Sequence, residues 1–500
     1  MGGETSDITA LVVDQFGNLV VDGSSVAFAT SAGTIEPLIV TTVNGRASTV
    51  LRSGTLPVTA TVTAYAGAVS GNTTVRFLPG TPRVVIAANP ASLVVGQNSR
   101  ITVIARDEFG NPVLDGTAVT LTTTLGWFTD TTISTTLRNT VGGNAEAFLT
   151  SHVVGTAIVR GTVGPNSATV AVIFSPGEPH SIKILSVEPA VIPGCVGTAL
   201  VTSLVKDRYG NVVHDGTVVV FDVTPQHGGI EPIDGGRTTA GIAQAIISAG
   251  TLPGPATLWA WPEQYRTSVV DQYGITFLVG PPDRIEATIE PPLLPVGGSR
   301  ATVKVHILDC GGYPVTDGTP VTFTITSGGG RLSPQSTTTA DGWAYSYIYS
   351  PDVVGSATIR VTSGDREANA VIEYIPGPPF EVLVTADPLS IAANGVSTTT
   401  VGAEVKDRFG NHVQDRTTVV FSTDLGRFEG GLSYNTTSLG GRASAVLTSS
   451  TVPGIARVSA TSGGRRSEIY VDFYFVPMPT PTPTQRAKVF LPLIMRKQYR

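Results

Sequence analysis

The sequence predicts an all-β chain: five tandem antiparallel β-sandwiches, the first N-terminally incomplete, followed by a Pro/Thr-rich C-terminal tail. Three observations carry this expectation. One phrase recurs five times at roughly 100-residue intervals, a domain-sized period beyond the 20–50 residues of solenoid repeats. Between copies of the phrase, β-branched residues alternate with polar ones, as in half-buried strands. Finally, 56 Gly and 35 Pro punctuate the 500 residues, and only 14% are charged where about a quarter is usual.

The phrase runs from Asp14 to Gly23, from Asp107 (Asp-Glu-Phe-Gly-Asn-Pro-Val-Leu-Asp-Gly) to Gly116, and from Asp207 to Gly216. The fourth copy, beginning Asp309-Cys310-Gly311-Gly312-Tyr313, departs at the aromatic and the Asn, and the fifth, from Asp407, ends on Arg416 instead of Gly. Each copy reads as a loop between two strands, with Gly-Asn at the positive-φ positions of a tight turn and the flanking aspartates bonding turn amides. An alternating V-x-F strand follows, as in Val219–Phe221. A second turn and strand comes about 30 residues on, as in Asn44–Leu51. Next is a G-x-A-x-V strand, as in Gly155–Val159, and each copy closes on an aromatic and a Pro/Gly linker, as in Phe174–Gly177. About seven short strands per 100 residues is the pattern of an immunoglobulin-like sandwich. The expected divisions are residues 1–79, 80–176, 177–279, 280–376 and 377–476, with 477–500 a spacer and basic tail. Short, Pro-stiffened linkers, expected to be exposed near residues 79, 176, 279 and 376, would string the sandwiches into a semi-rigid rod on the order of 150–200 Å long.

The combination D-x-[FY]-G-N-x-V-x-D-G-T-x-V-x-F, the following turn and strand, and G-x-A-x-V resembles the bacterial Ig-like group 1 (Big-1) domains of the intimin and invasin adhesins. The resemblance covers residues 1 to about 476. It implies a surface-exposed or secreted bacterial stalk that displays or contributes to adhesion. Neither the outer-membrane β-barrel nor the lectin-like tip of those adhesins is in the sequence, so their receptor binding does not carry over.

Residues 1–8 align on 94–101, matching Gly3, Ser6 and Ile8 to Gly96, Ser99 and Ile101, so the first copy starts inside a domain. A signal peptide lost with a truncated N-terminus is the expectation, together with an extracellular or cell-surface location. At the other end, Pro477–Thr484 is a polyproline-type spacer, and Val489–Met495 with its basic flank is read as a sorting or retention signal or as an inert extension. No 18-residue apolar run is present, so no transmembrane segment is expected. A net charge of −6 gives no field to recruit nucleic acid.

The six histidines stand singly, and no nucleophile elbow, phosphate loop or dinucleotide fingerprint is present, so no catalysis, cofactor or metal is expected. Paired aspartates on each loop raise a calcium reading. Two carboxylates are few for a cation taking about six to eight oxygens, and turn capping explains them more simply. The third copy stands out for Trp259 and Trp261, which by alternation point outward from one strand near Tyr265. Either they bind a cell-surface protein or glycan, or the longer loop after them folds back over them or a neighbouring domain covers them. The only cysteines, Cys195 and Cys310, fall at the same end-to-end junction, centred on Val279-Gly280. They are either bridged, locking the bend between the third and fourth domains, or left as two thiols. The resulting expectation is a non-catalytic extracellular structural or adhesive stalk. The alternative is a carbohydrate-binding accessory region of a secreted enzyme whose catalytic domain lies outside this chain.

Overall fold

Alternation builds the strands. Along Ser99–Arg106, Ser99, Ile101, Val103 and Ala105 are buried while the residues between them face outward, because successive side chains leave opposite faces of a pleated strand. The computed structural model describes residues 2–224 and 226–477, and these hold no α-helix, only one 3₁₀ turn at Ile233–Gly236. The expected spacer and basic tail therefore lie, past Pro477, outside the described residues.

The second repeat shows the plan. A four-stranded sheet runs Trp127–Phe128, Asn144–Thr150, Ser99–Arg106, Arg83–Asn89. Facing it is a five-stranded sheet in the order Thr135–Asn139, Ala118–Thr123, Gly155–Val163, Asn166–Ser175, Ser92–Val94. All pairings are antiparallel except that of Ser92–Val94 with Asn166–Ser175. Ile101 and Val103 of one sheet and Leu121, Val159 and Phe174 of the other meet in one cluster. Four further clusters of the same kind, one per repeat, make the chain a tandem of five Ig-like sandwiches. In the first repeat no strand occupies the place of Arg83–Asn89, leaving three strands and a cleft of about 350 Å³ lined by Ile8, Ala10, Phe28 and Val62.

The chain divides into two compact units. One comprises Met1–Ile192 and Gly197–Leu278, and the other comprises Pro193–Val196 and the chain from Val279 onward. The linkers differ from expectation. Pro79, Pro176, Val279 and Pro376 are half-buried and Gly280 is buried, because the next repeat's aspartate loop packs on each linker.

Candidate functional site

The recurrent loop is more than a turn. Asp207 shows why: its Oδ1 accepts the amides of Tyr209 and Asn211, each at 2.9 Å, and its Oδ2 accepts the linker amide of Gly177 at 3.0 Å. Asp107 and Asp407 repeat the arrangement toward Gly80 and Gly377, and Asp309 toward Gly280. The second aspartate of the phrase reaches a different turn, Asp115 Oδ1 accepting the Gly142 amide and Asp215 the Ala240 amide, both at 2.7 Å. Asp22, Asp317 and Asp415 do the same in the other repeats. The phrase thus ties together linker, loop and the second turn of its own sandwich. Its carboxylates are consumed by amides, and among the described residues no group of three or more His, Cys, Asp or Glu is arranged to hold a metal ion.

Gly110 has the positive φ expected of the Gly-Asn pair, but Asn111 does not. Asn serves another purpose. Asn111 Nδ2 donates to the Thr55 carbonyl of the preceding repeat (2.7 Å), Asn211 Nδ2 to the His152 carbonyl (2.9 Å), and Asn411 Nδ2 to the Asp352 carbonyl (2.8 Å). Asn211 and Asn411 also accept the amides of Val154 and Val354, so each amide group grips the preceding loop twice. The aromatic two residues earlier completes the contact. Tyr209 stacks on His152 with ring centroids 4.0 Å apart, and its hydroxyl lies 2.2 Å from where a Cβ on Gly96 would sit. Phe409 occupies the same space over Gly297, and Phe109 over Gly2, not over the Gly3 that the alignment selects. Any larger residue at those glycines would drive the ring off. The signal was present in the sequence: a tight turn needs neither an aromatic nor a side-chain amide, yet both recur.

The fourth repeat has Gly311 and Tyr313 where its neighbours carry the aromatic and the Asn. Here Cys310 is bonded to Cys195, their Cα atoms 6.1 Å apart. Cys195 sits at φ +69°, the left-handed conformation that Gly96 and Gly297 adopt at the same point of their repeats. Its segment, Pro193–Val196, is interposed between strands of the third repeat in sequence but groups with the second unit. A covalent bond therefore stands where ring-on-glycine packing and the asparagine grip stand elsewhere.

Burial raises the carboxyl pKa of Asp107, Asp207 and Asp407, but hydrogen bonds from the Asn side chain, the linker Gly and the loop amides outweigh it and hold each below the usual range. A carboxylate with a depressed folded-state pKa contributes stability above its unfolded value, about 3.9, and loses it as pH falls through the lower folded value. We expect the melting temperature of the native chain to exceed that of Asp207→Asn above about pH 5, and the gap to close below about pH 4. A gap that persisted unchanged to pH 2.5 would contradict this role for the charge.

The tryptophan pair of the third repeat is not an open platform. Trp259 is half-buried, opposite Asp222 and Gln272, but Trp261, expected on the exposed face, is buried at 7%. The loop after Gly254–Pro262 turns back through Tyr265 and Val269 amide bonds to Pro262 and Tyr265, and sets the Arg266 guanidinium 4.6 Å over the Trp261 ring. Tyr265 donates its hydroxyl to the Glu178 carboxylate, which holds the phenol above its usual pKa.

Residues 381–475 match the family model described as invasin, domain 3. The inverse autotransporter adhesin YeeJ of Escherichia coli (strain K12) is 26% identical over 407 residues, which is 76% of this chain but only 16% of that protein. Among solved structures, invasin, a bacterial integrin-binding protein, aligns over 78% of each chain at 18% identity and a TM-score of 0.42. Yersinia pseudotuberculosis InvD aligns over 59% of this chain and 96% of its own at 17% identity and a TM-score of 0.32. The fifth repeat thus matches the invasin domain 3 model, and the chain as a whole is similar to an inverse autotransporter adhesin over 407 residues.

Proposed function

We propose that the chain is a non-catalytic, surface-exposed segment of a bacterial adhesive stalk whose partners are cell-surface proteins or glycans. The observation that carries this reading is the repeated junction. Asp, aromatic and Asn on one loop fasten each of three repeats to the one before it, and in the fourth copy, where Asp309 is kept, the aromatic and Asn are absent and Cys310 is bonded to Cys195. A loop that spends its polar groups on its neighbour positions domains and leaves no group for substrate chemistry. The adhesin relative supports the same reading, although this chain spans 16% of that relative's length. Among the described residues no helix is long and apolar enough to cross a membrane.

The reading is tested in the cells that make the protein. External protease on intact cells should release fragments of these repeats, and deleting the gene should lower attachment of those cells to host cells or abiotic surfaces. Fragments recovered only after lysis, with attachment unchanged by deletion, would overturn it.

A further inference from the structure

The fourth repeat carries an outward face unlike its counterparts. Along the strand Trp343–Tyr349, Ala344, Ser346 and Ile348 point into the core, so Trp343, Tyr345, Tyr347 and Tyr349 line the opposite face in a single row. The positions equivalent to Tyr345 and Tyr347 are Ser48 and Val50 in the first repeat, Glu146 and Phe148 in the second, Gln244 and Ile246 in the third, and Ser444 and Val446 in the fifth. Cations interleave the row. Lys304 lies 4.6 Å from the Trp343 ring, Arg300 4.6 Å from Tyr347, and Arg331 4.4 Å from Tyr349, while His306 stacks on Trp343 at 4.1 Å.

Two features show that this face is not self-contained. Among the described residues, no carboxylate forms an ion pair with Arg300, Lys304 or Arg331, although Arg284 on the neighbouring edge is paired with Glu286. The hydroxyls of Tyr345, Tyr347 and Tyr349 hydrogen-bond no other described residue, whereas the buried Tyr374 donates to the Gly329 carbonyl. Tyr345 is 46% exposed.

We propose that this face binds an anionic polysaccharide. Rings recurring at every second residue, about 6.6–6.8 Å apart, offer successive flat surfaces for sugar faces, with phenol hydroxyls at their edges for sugar hydroxyls. The guanidinium forks of Arg300 and Arg331 beside those rings match carboxylates carried on the same polymer. A protein partner fits less well, because a cation stands beside nearly every ring and leaves no contiguous apolar centre of the kind protein hot spots need. Nucleic acid is disfavoured by the chain's net charge of −6. This inference names a ligand class for the adhesive reading and rests on that reading for its biological sense.

The test is binding of the purified full chain to polygalacturonate and hyaluronate, with neutral dextran and polyglutamate as comparison polymers. We expect binding to a uronate polymer that weakens with salt, with little to dextran or polyglutamate. Tyr345→Ala/Tyr347→Ala and, separately, Arg300→Gln/Arg331→Gln should each weaken it about tenfold or more. Unchanged melting temperatures show that the variants are folded, and the arginine pair, both exposed, serves if the tyrosine pair is unstable. No binding to either uronate polymer, equal binding to polyglutamate, or loss in the arginine variant with none in a folded tyrosine variant would each overturn the proposal. Failure here with cell attachment still dependent on the gene would remove this ligand and leave the adhesive reading standing.

Discussion

Replacing Cys195 and Cys310 together by serine is expected to cost about 2–5 kcal/mol of unfolding free energy, the range for a native disulfide closing a long loop. The bond closes 115 residues, so the unfolded chain it restrains is large. Its loss is not cushioned, because Gly311 and Tyr313 occupy the places where the other loops supply an aromatic ring and an amide. What remains is Asp309, whose Oδ2 still holds the Gly280 amide at 2.9 Å. Two effects follow: a lower melting temperature on reduction or double substitution, and faster proteolytic nicking near residues 279–283. Recovery of free thiol at both positions from protein made in an oxidising compartment would show that the bond is not formed and would remove the effect.

Asp207→Ala should have the next largest effect, about 2–4 kcal/mol. Truncation strands the amides of Gly177, Tyr209 and Asn211, and releases the Asn211 side chain that Asp207 orients through both oxygens. Buried donors left without acceptors cost about 1–3 kcal/mol each where water cannot reach them. Partial exposure of the loop keeps the sum below the full count. Denaturant unfolding of the variant should show a lower midpoint with little change in slope if the loss is one of stability and not of native compactness. A midpoint equal to that of the native chain would mean that the carboxylate only decorates the turn.

The fold could be read because two periods coincide in the sequence. Alternation such as Ile101, Val103, Ala105 fixes which face of a strand is buried, and the recurrent phrase fixes where one sandwich repeats the last. The site was less legible, for physical reasons visible at single residues. Asn111, Asn211 and Asn411 read as turn residues because sequence shows the loop they lie in, whereas the carbonyls they bond belong to a loop roughly 60 residues earlier in the preceding repeat. Alternation assigns Trp261 to the exposed face, but alternation is blind to a loop folding back: Arg266 lies over the ring and Trp261 is buried. The missing aromatic and Asn of the fourth phrase and its gained cysteine are adjacent in sequence. Only the geometry makes them one exchange, in which a covalent bond replaces packing. The aromatic row of Trp343–Tyr349 is legible by the same period-two alternation as Trp259 and Trp261.

An Asp-aromatic-Asn loop that grips linker and preceding loop together should hold one repeat in a fixed orientation on the one before it. The most direct measurement is the distribution of distances between spin labels on the full chain, one at Arg160 in the second repeat and one at Ile246 in the third. Both positions are exposed, and the labels are attached through non-cysteine chemistry so that the disulfide stays intact. The account predicts a single narrow distribution for the native chain and a broad one for Asp207→Ala. A native distribution as broad as the variant's would contradict it.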